Sequence, residues 1–241
     1  MGGPLMQILA IDTSSDAVVT GVANLADGDR HPAVLAERVV ADGRRHAEVL
    51  TSLIGEVLDE SEVSRSDLDA VVVGCGPGPF TGLRVGMATA AAFADALGLS
   101  AYGVCSLDAI AAQEFSSDRA ISSLLVVADA RRREIYWARY AEGGARVTGP
   151  DVTAPARVVA DLADAPIDLV VGSPAHAELF GRPIGVSTVP SVTGLVLAAV
   201  DDLRSPPEPA PLVPLYLRRP DAVEPKKKPR GADRPHREVA R

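Results

Sequence analysis

DAVVVGCGPGPFTGLRVGMATAAAFADAL, residues 69–97, carries a strand, a rigid loop and a helix in one run. Residues 69–75 are short and β-branched, the composition of a strand buried on both faces. Gly76, Pro77, Gly78, Phe80, Thr81 and Gly82 mark the loop, and residues 82–97 read as a helix. A strand, a glycine loop and a helix in that order can offer a helix N-terminus to a phosphate. The known phosphate patterns fail, however: no lysine follows Gly82, and Thr81 stands where GxGxxG needs its third glycine. Two prolines set a fixed shape. Local physics leaves a ligand loop and a structural turn capped by Thr81 both open.

The same alternation extends outward. Residues 7–12 and 17–25 read as strands joined by Thr13-Ser14-Ser15-Asp16, whose turn chemistry predicts a hairpin. Residues 33–40 are a third strand. Over residues 44–59 the period changes to helical, with Ala47, Leu50, Leu53, Ile54, Val57 and Leu58 on one stripe. A short strand at 102–105 and a helix at 107–114 follow. A second cycle begins with a strand at 124–129 that again ends in aspartate, then a strand at 134–140. Beyond it come a helix at 155–162, a strand at 168–172 and a helix at 193–203. Two weak copies of one pattern predict a duplicated α/β protein in two lobes, residues 6–105 and 106–218.

Composition narrows the function. The 241 residues are 47% hydrophobic with a net charge of −8, enough apolar material for a real core. That acidic balance argues against a protein that coats nucleic acid by charge alone. Cys75 and Cys105 are too few for a disulfide scaffold or a four-cysteine zinc site, and they read as small core residues at strand ends. His31, His46, His176 and His236 never stand at i, i+4, so no helical metal pair exists, and HExxH and GxSxG are absent. No targeting signal precedes the first strand. The uncharged stretch 183–200 contains Pro183, Gly185, Pro190 and Gly194, which is no lipid-facing helix. No membrane contact and a cytoplasmic location are therefore expected. Residues 218–241 hold nine basic and four acidic side chains, leaving −13 on the rest. Residues 219–241 are expected to be a disordered basic tail, with a weak electrostatic hold on RNA as the alternative.

Five stretches in order resemble the TsaB (YeaZ) family. They are Ile11-Asp12-Thr13-Ser14, Arg45-His46-Ala47-Glu48, GPGPFTGLRVG from Gly76 to Gly86, Asp129-Ala130-Arg131 with Glu134-Ile135-Tyr136, and Pro214-Leu215-Tyr216-Leu217-Arg218. The resemblance implies a two-lobed actin-like (ASKHA, ribonuclease H-like) fold. It also implies a role in making N6-threonylcarbamoyladenosine in tRNA, as a non-catalytic scaffold that binds and activates the paralogue TsaD. The ATPase TsaE would join the pair, and tRNA would be met through the complex. A homodimer of the isolated chain stays open. So does an actin-like ATPase or kinase acting on a small molecule.

The residues favour the silent scaffold. The turn Asp129-Ala130-Arg131-Arg132-Arg133-Glu134 lacks the glycine that lets backbone approach phosphate, and only Gly172-Ser173-Pro174 stands where an adenosine-side glycine pair is expected. Asp12 alone makes no metal site. No catalytic residue, metal or cofactor is expected. Gly86, Ala90 and Ala94 repeat at four-residue spacing, a smooth side beside the stripe of the helix before it. Either the rest of this chain covers these helices or TsaD completes a bundle with them. The second reading assigns His46, Leu50, Leu53, Val57, Leu83, Gly86, Met87, Ala90 and Ala94 to the partner.

Overall fold

The computed structural model describes residues 5–29, 31–41, 46–117, 119–206 and 211–218. The predicted basic tail, residues 219–241, lies outside the described residues. Strands β1 (Leu5–Asp12), β2 (Ala17–Ala26) and β3 (Ala33–Ala41) form an antiparallel meander. Helix α1 (His46–Ser61) returns the chain to β4 (Ala70–Gly74), which pairs parallel with β1. Helix α2 (Phe80–Leu97) ends on Gly98 at φ 68°, a left-handed cap that glycine adopts without steric cost, and leads into β5 (Ser100–Val104). The order is β3-β2-β1-β4-β5.

Helix α3 (Ser106–Phe115) leads to a second copy. Strands β6 (Ser123–Asp129), β7 (Ile135–Ala141) and β8 (Arg146–Thr153) are again a meander, and α4 (Pro155–Asp161) returns to β9 (Leu169–Gly172), parallel to β6. The order β8-β7-β6-β9 repeats β3-β2-β1-β4. The expected duplicated α/β architecture is present. β8 was not legible in the sequence, because its residues are largely exposed and Gly149-Pro150 interrupts any alternation.

Beyond α5 (Pro174–Ala177), residues 193–203, read as one helix, fold as α6 (Val192–Ala198) and α7 (Val200–Arg204) with Ala199 between them. Ser191 caps α6 by accepting the Gly194 N–H at 3.1 Å. This helix follows the second sheet in sequence but packs on the first one. Val192, Leu195 and Val196 join Ile8, Ala10, Val72 and Ala109 in one buried cluster. The reason is coverage. Helices α1 and α2 bury one face of the first sheet with Leu9, Ile11, Val71 and Val73, so its other apolar face needs a helix from elsewhere. Helix α3 lies between the lobes, with Ala109 in that cluster and Leu107, Ile110 and Ala111 in the core of the second sheet.

Candidate functional site

Asp12 ends β1 fully buried, and its carboxylate organises the turn beyond. Oδ1 accepts the Ser14 N–H at 2.9 Å and the Ser14 hydroxyl at 2.7 Å. Oδ2 accepts the hydroxyl of Ser106, the first residue of α3, at 2.6 Å. Space for that oxygen exists because residue 74 is glycine: a Cβ there would stand 1.7 Å from Oδ2. Thr13 fastens the same turn to α2, donating to the Gly82 carbonyl at 2.8 Å and accepting the Gly86 N–H at 3.1 Å. A buried carboxylate saturated by hydroxyl and amide donors is a structural hub.

The loop is built by close approach. Gly76 has φ 94°, and its carbonyl accepts the Ser106 N–H at 2.7 Å. A Cβ on Gly78 would lie 2.0 Å from the Ser14 carbonyl oxygen. One of the two open readings had Thr81 cap the helix, and it does not. Pro79 is the N-cap, its carbonyl accepts the Leu83 N–H at 3.1 Å, and Thr81 is exposed as the second residue of the helix. The space in front of the loop is therefore occupied by the chain's own Ser14 and Ser106.

The matching turn of the second lobe is filled as well. Arg131, Arg132 and Arg133 have φ 58°, 55° and 65° without a glycine among them, at about 1–2 kcal/mol each. Asp129 Oδ1 accepts the Arg131 N–H at 2.8 Å and lies 3.4 Å from His176 Nε2. The Arg131 guanidinium reaches Asp16 in the β1–β2 turn at 2.6 Å. Both side chains are more than half exposed, so this ion pair adds little stability. Gly172, at φ 104°, is held against the Val127 carbonyl, 1.9 Å from where a Cβ would stand. Its freedom serves strand packing.

A cleft of about 890 Å³ opens between the C-terminal half of α2, β5 and residues 211–215. Asp108 at its rim accepts two bonds from Arg146, at 2.9 and 3.0 Å, and one from the Tyr140 hydroxyl at 2.7 Å. Burial, with Asp12 nearby, pushes the Cys75 thiol up to about 11, and burial with Asp108 pushes Cys105 up to about 12. Neither is a nucleophile at neutral pH. Among the described residues, no group of three His, Cys, Asp or Glu could hold a metal ion.

The partner residues expected from the sequence are placed inward. Leu50, Leu53, Val57, Leu83, Met87, Ala90 and Ala94 are buried in the chain's own core between the first sheet, α1 and α2. Gly86 is buried too, and the small side it offers is taken by Thr13, whose Oγ1 would meet a Cβ at 2.3 Å. His46 opens α1, and its side chain lies outside the described residues. These eight residues, expected at a partner surface, are buried within the chain itself. The first sheet had to be covered, and these side chains cover it. The outward side of α2 instead shows Phe80, Thr81, Arg84, Ala88, Ala91, Ala92, Asp95 and Ala96, a face whose alanines carry no apolar signal.

Residues 34–203 match the family model described as TsaD, tRNA N6-adenosine threonylcarbamoyltransferase. An uncharacterized protein of Mycobacterium tuberculosis is 52% identical over 216 residues, which cover 89% of this chain and 93% of that one. The tRNA threonylcarbamoyladenosine biosynthesis protein TsaB of Escherichia coli is 32% identical over 135 residues, 56% of this chain and 55% of that protein. The solved structure of YeaZ from Pseudomonas aeruginosa superposes with a TM-score of 0.70 at 26% identity, covering 88% of this chain and all of that one.

Proposed function

Because the chain belongs to the TsaD family, with TsaB (YeaZ) proteins of tRNA threonylcarbamoyladenosine biosynthesis among its relatives, we propose that it is the non-catalytic partner of the TsaD-type transferase. Its fold is the two-lobed actin-like α/β fold of the YeaZ proteins. What supports the silent role most directly is that both turns are occupied by the chain's own groups. Ser14 closes on Gly78, and the left-handed arginine turn and the Arg131–Asp16 pair stand opposite it. On this reading the TsaD-type protein supplies the chemistry, a TsaE-type ATPase joins the pair, and tRNA is met through the assembly in the cytoplasm. Among the described residues, no helix is long and apolar enough to cross a membrane.

The proposed docking face is the exposed side of α2 around Ala88, Ala91, Ala92 and Ala96, with the outer side of the neighbouring α1. Alanines let another helix come close and lose no rotamer freedom on binding. Ala92→Arg should leave the melting temperature unchanged and weaken association with the cognate TsaD-type protein by ~100-fold or more, since an unpaired charge would be buried there. Calorimetric titration with that protein tests it. Unchanged affinity would put the interface elsewhere, and no association of the parent chain would end the partner reading.

Asp12 separates a scaffold from a catalyst. Asp12→Ala strands the donors of Ser14 and Ser106, at a cost on the order of 2–3 kcal/mol, or roughly 5–10 °C in melting temperature. Below that transition, threonylcarbamoylation by the reconstituted complex should stay within a few-fold of the parent rate. Abolished modification in a variant that folds and pairs would make Asp12 catalytic.

A further inference from the structure

Residues 211–218 have no helix or strand of their own, yet successive side chains are gripped by different parts of the molecule. Leu212 packs on the first-lobe core beside Gly103. Leu215 donates its N–H to the Cys75 carbonyl at 2.8 Å. Tyr216 stacks on Phe80, the first residue of α2, with ring centroids 5.2 Å apart and planes at 28°. Arg84 covers the Phe80 ring at 4.0 Å and donates from Nε to the Tyr216 hydroxyl at 3.3 Å. At the next residue the strap changes lobe. Leu217 packs against the core that holds Leu107, Ile110 and Tyr136. Arg218 donates to the Ala130 carbonyl at 3.2 Å and pairs with Glu134.

We propose that residues 215–218 are a clasp between the lobes, one that holds the arginine turn of the second lobe in register with the head of α2 in the first. The two grips differ in kind. The first-lobe grip is a backbone hydrogen bond, an aromatic stack and apolar packing. The second-lobe grip is Leu217 packing with the Arg218 bonds to Ala130 and Glu134, and since the Phe80–Tyr216 stack is at least as exposed as that ion pair, either end can open. The Arg131–Asp16 bridge nearby is too exposed to hold the lobes alone. Since Tyr216 and Arg218 are two residues apart, release at Arg218 frees the strap that steadies Phe80. The clasp is independent of the function proposed above.

Hydrogen exchange of the full chain, read by mass spectrometry, tests the coupling in both directions. Arg218→Ala should speed exchange of the loop and first turn of α2 around Leu83, which Arg218 does not touch, by roughly tenfold or more, since its bonds to Ala130 and Glu134 are both lost from a local opening. Tyr216→Ala should do the same to the Ala130–Glu134 turn, which Tyr216 does not touch. Glu134→Ala leaves the strap sequence intact and must reproduce the Arg218→Ala pattern. Acceleration confined to the lobe each side chain contacts, or parent rates in the Glu134 variant, would overturn the clasp.

Discussion

Ala90→Arg is expected to abolish folding rather than binding. Ala90 is 0% exposed and sits among Leu50, Leu53, Leu83 and Ala94 between α2 and the first sheet. A guanidinium there has no partner and no room. Stranding a charge in a packed core costs on the order of several kcal/mol, and the overpacking adds about 1–3 kcal/mol. A domain holds only about 5–15 kcal/mol in total, so most of the native state should be lost. Circular dichroism and thermal melting of the purified variant measure it, with Ala92→Arg, on the opposite and exposed face of α2, as the folded counterpart. A cooperative melt at the parent temperature for Ala90→Arg would mean that this face of α2 opens to a partner after all.

Gly78→Val should produce a comparable loss at a different kind of site. Its φ is not in the left-handed region, so the usual argument for glycine applies to Gly76 and not here. What forbids a side chain at 78 is the Ser14 carbonyl, 2.0 Å from an added Cβ, with the Ser14 carbonyl carbon at 2.7 Å. A flexible side chain could swing away, but backbone cannot, and this backbone is pinned by Asp12 through the Ser14 amide and hydroxyl. The β1–β2 turn and the Gly-Pro loop would have to part, which also strains the Thr13 bonds to α2. The expected cost is on the order of 3 kcal/mol or more, about 6–12 °C in melting temperature. Gly78→Ala should share most of it, because the Cβ alone makes the clash. If Gly78→Val melts like the parent and loses only partner binding or modification, the loop is a ligand site.

These two expectations reach beyond what one-dimensional pattern carries. Along the sequence, apolar stripes at helical spacing correctly marked α1 and α2 as covered helices, yet the stripe is the same whether the cover is the chain's own sheet or another protein. The true outward face of α2 is alanine-rich, with Thr81, Arg84 and Asp95 as its polar members, and alanines are too small to read as core. Likewise Gly86 and Ala90 looked like a smooth docking side, and the groove is used by Thr13 from within. The arginine turn was legible as a place without glycine, but not as three consecutive left-handed residues.

Local chemistry by itself determined the elements: the hairpin after Asp12, the strand–loop–helix at residues 69–97, the repeat of the whole pattern and the motifs that place the chain in its family. Those are written in short-range periodicity, turn residues and steric limits on φ, all of which act within a few residues. Only the tertiary structure decided which surfaces meet. It sent α6 back to the first sheet, turned the stripe of α1 and α2 inward, put Ser14 against Gly78, and laid Tyr216 on Phe80. The physical reason is that apolar burial is non-directional: a residue's sequence environment states that it must leave water, while the surface that receives it is set by contacts between distant parts of the chain.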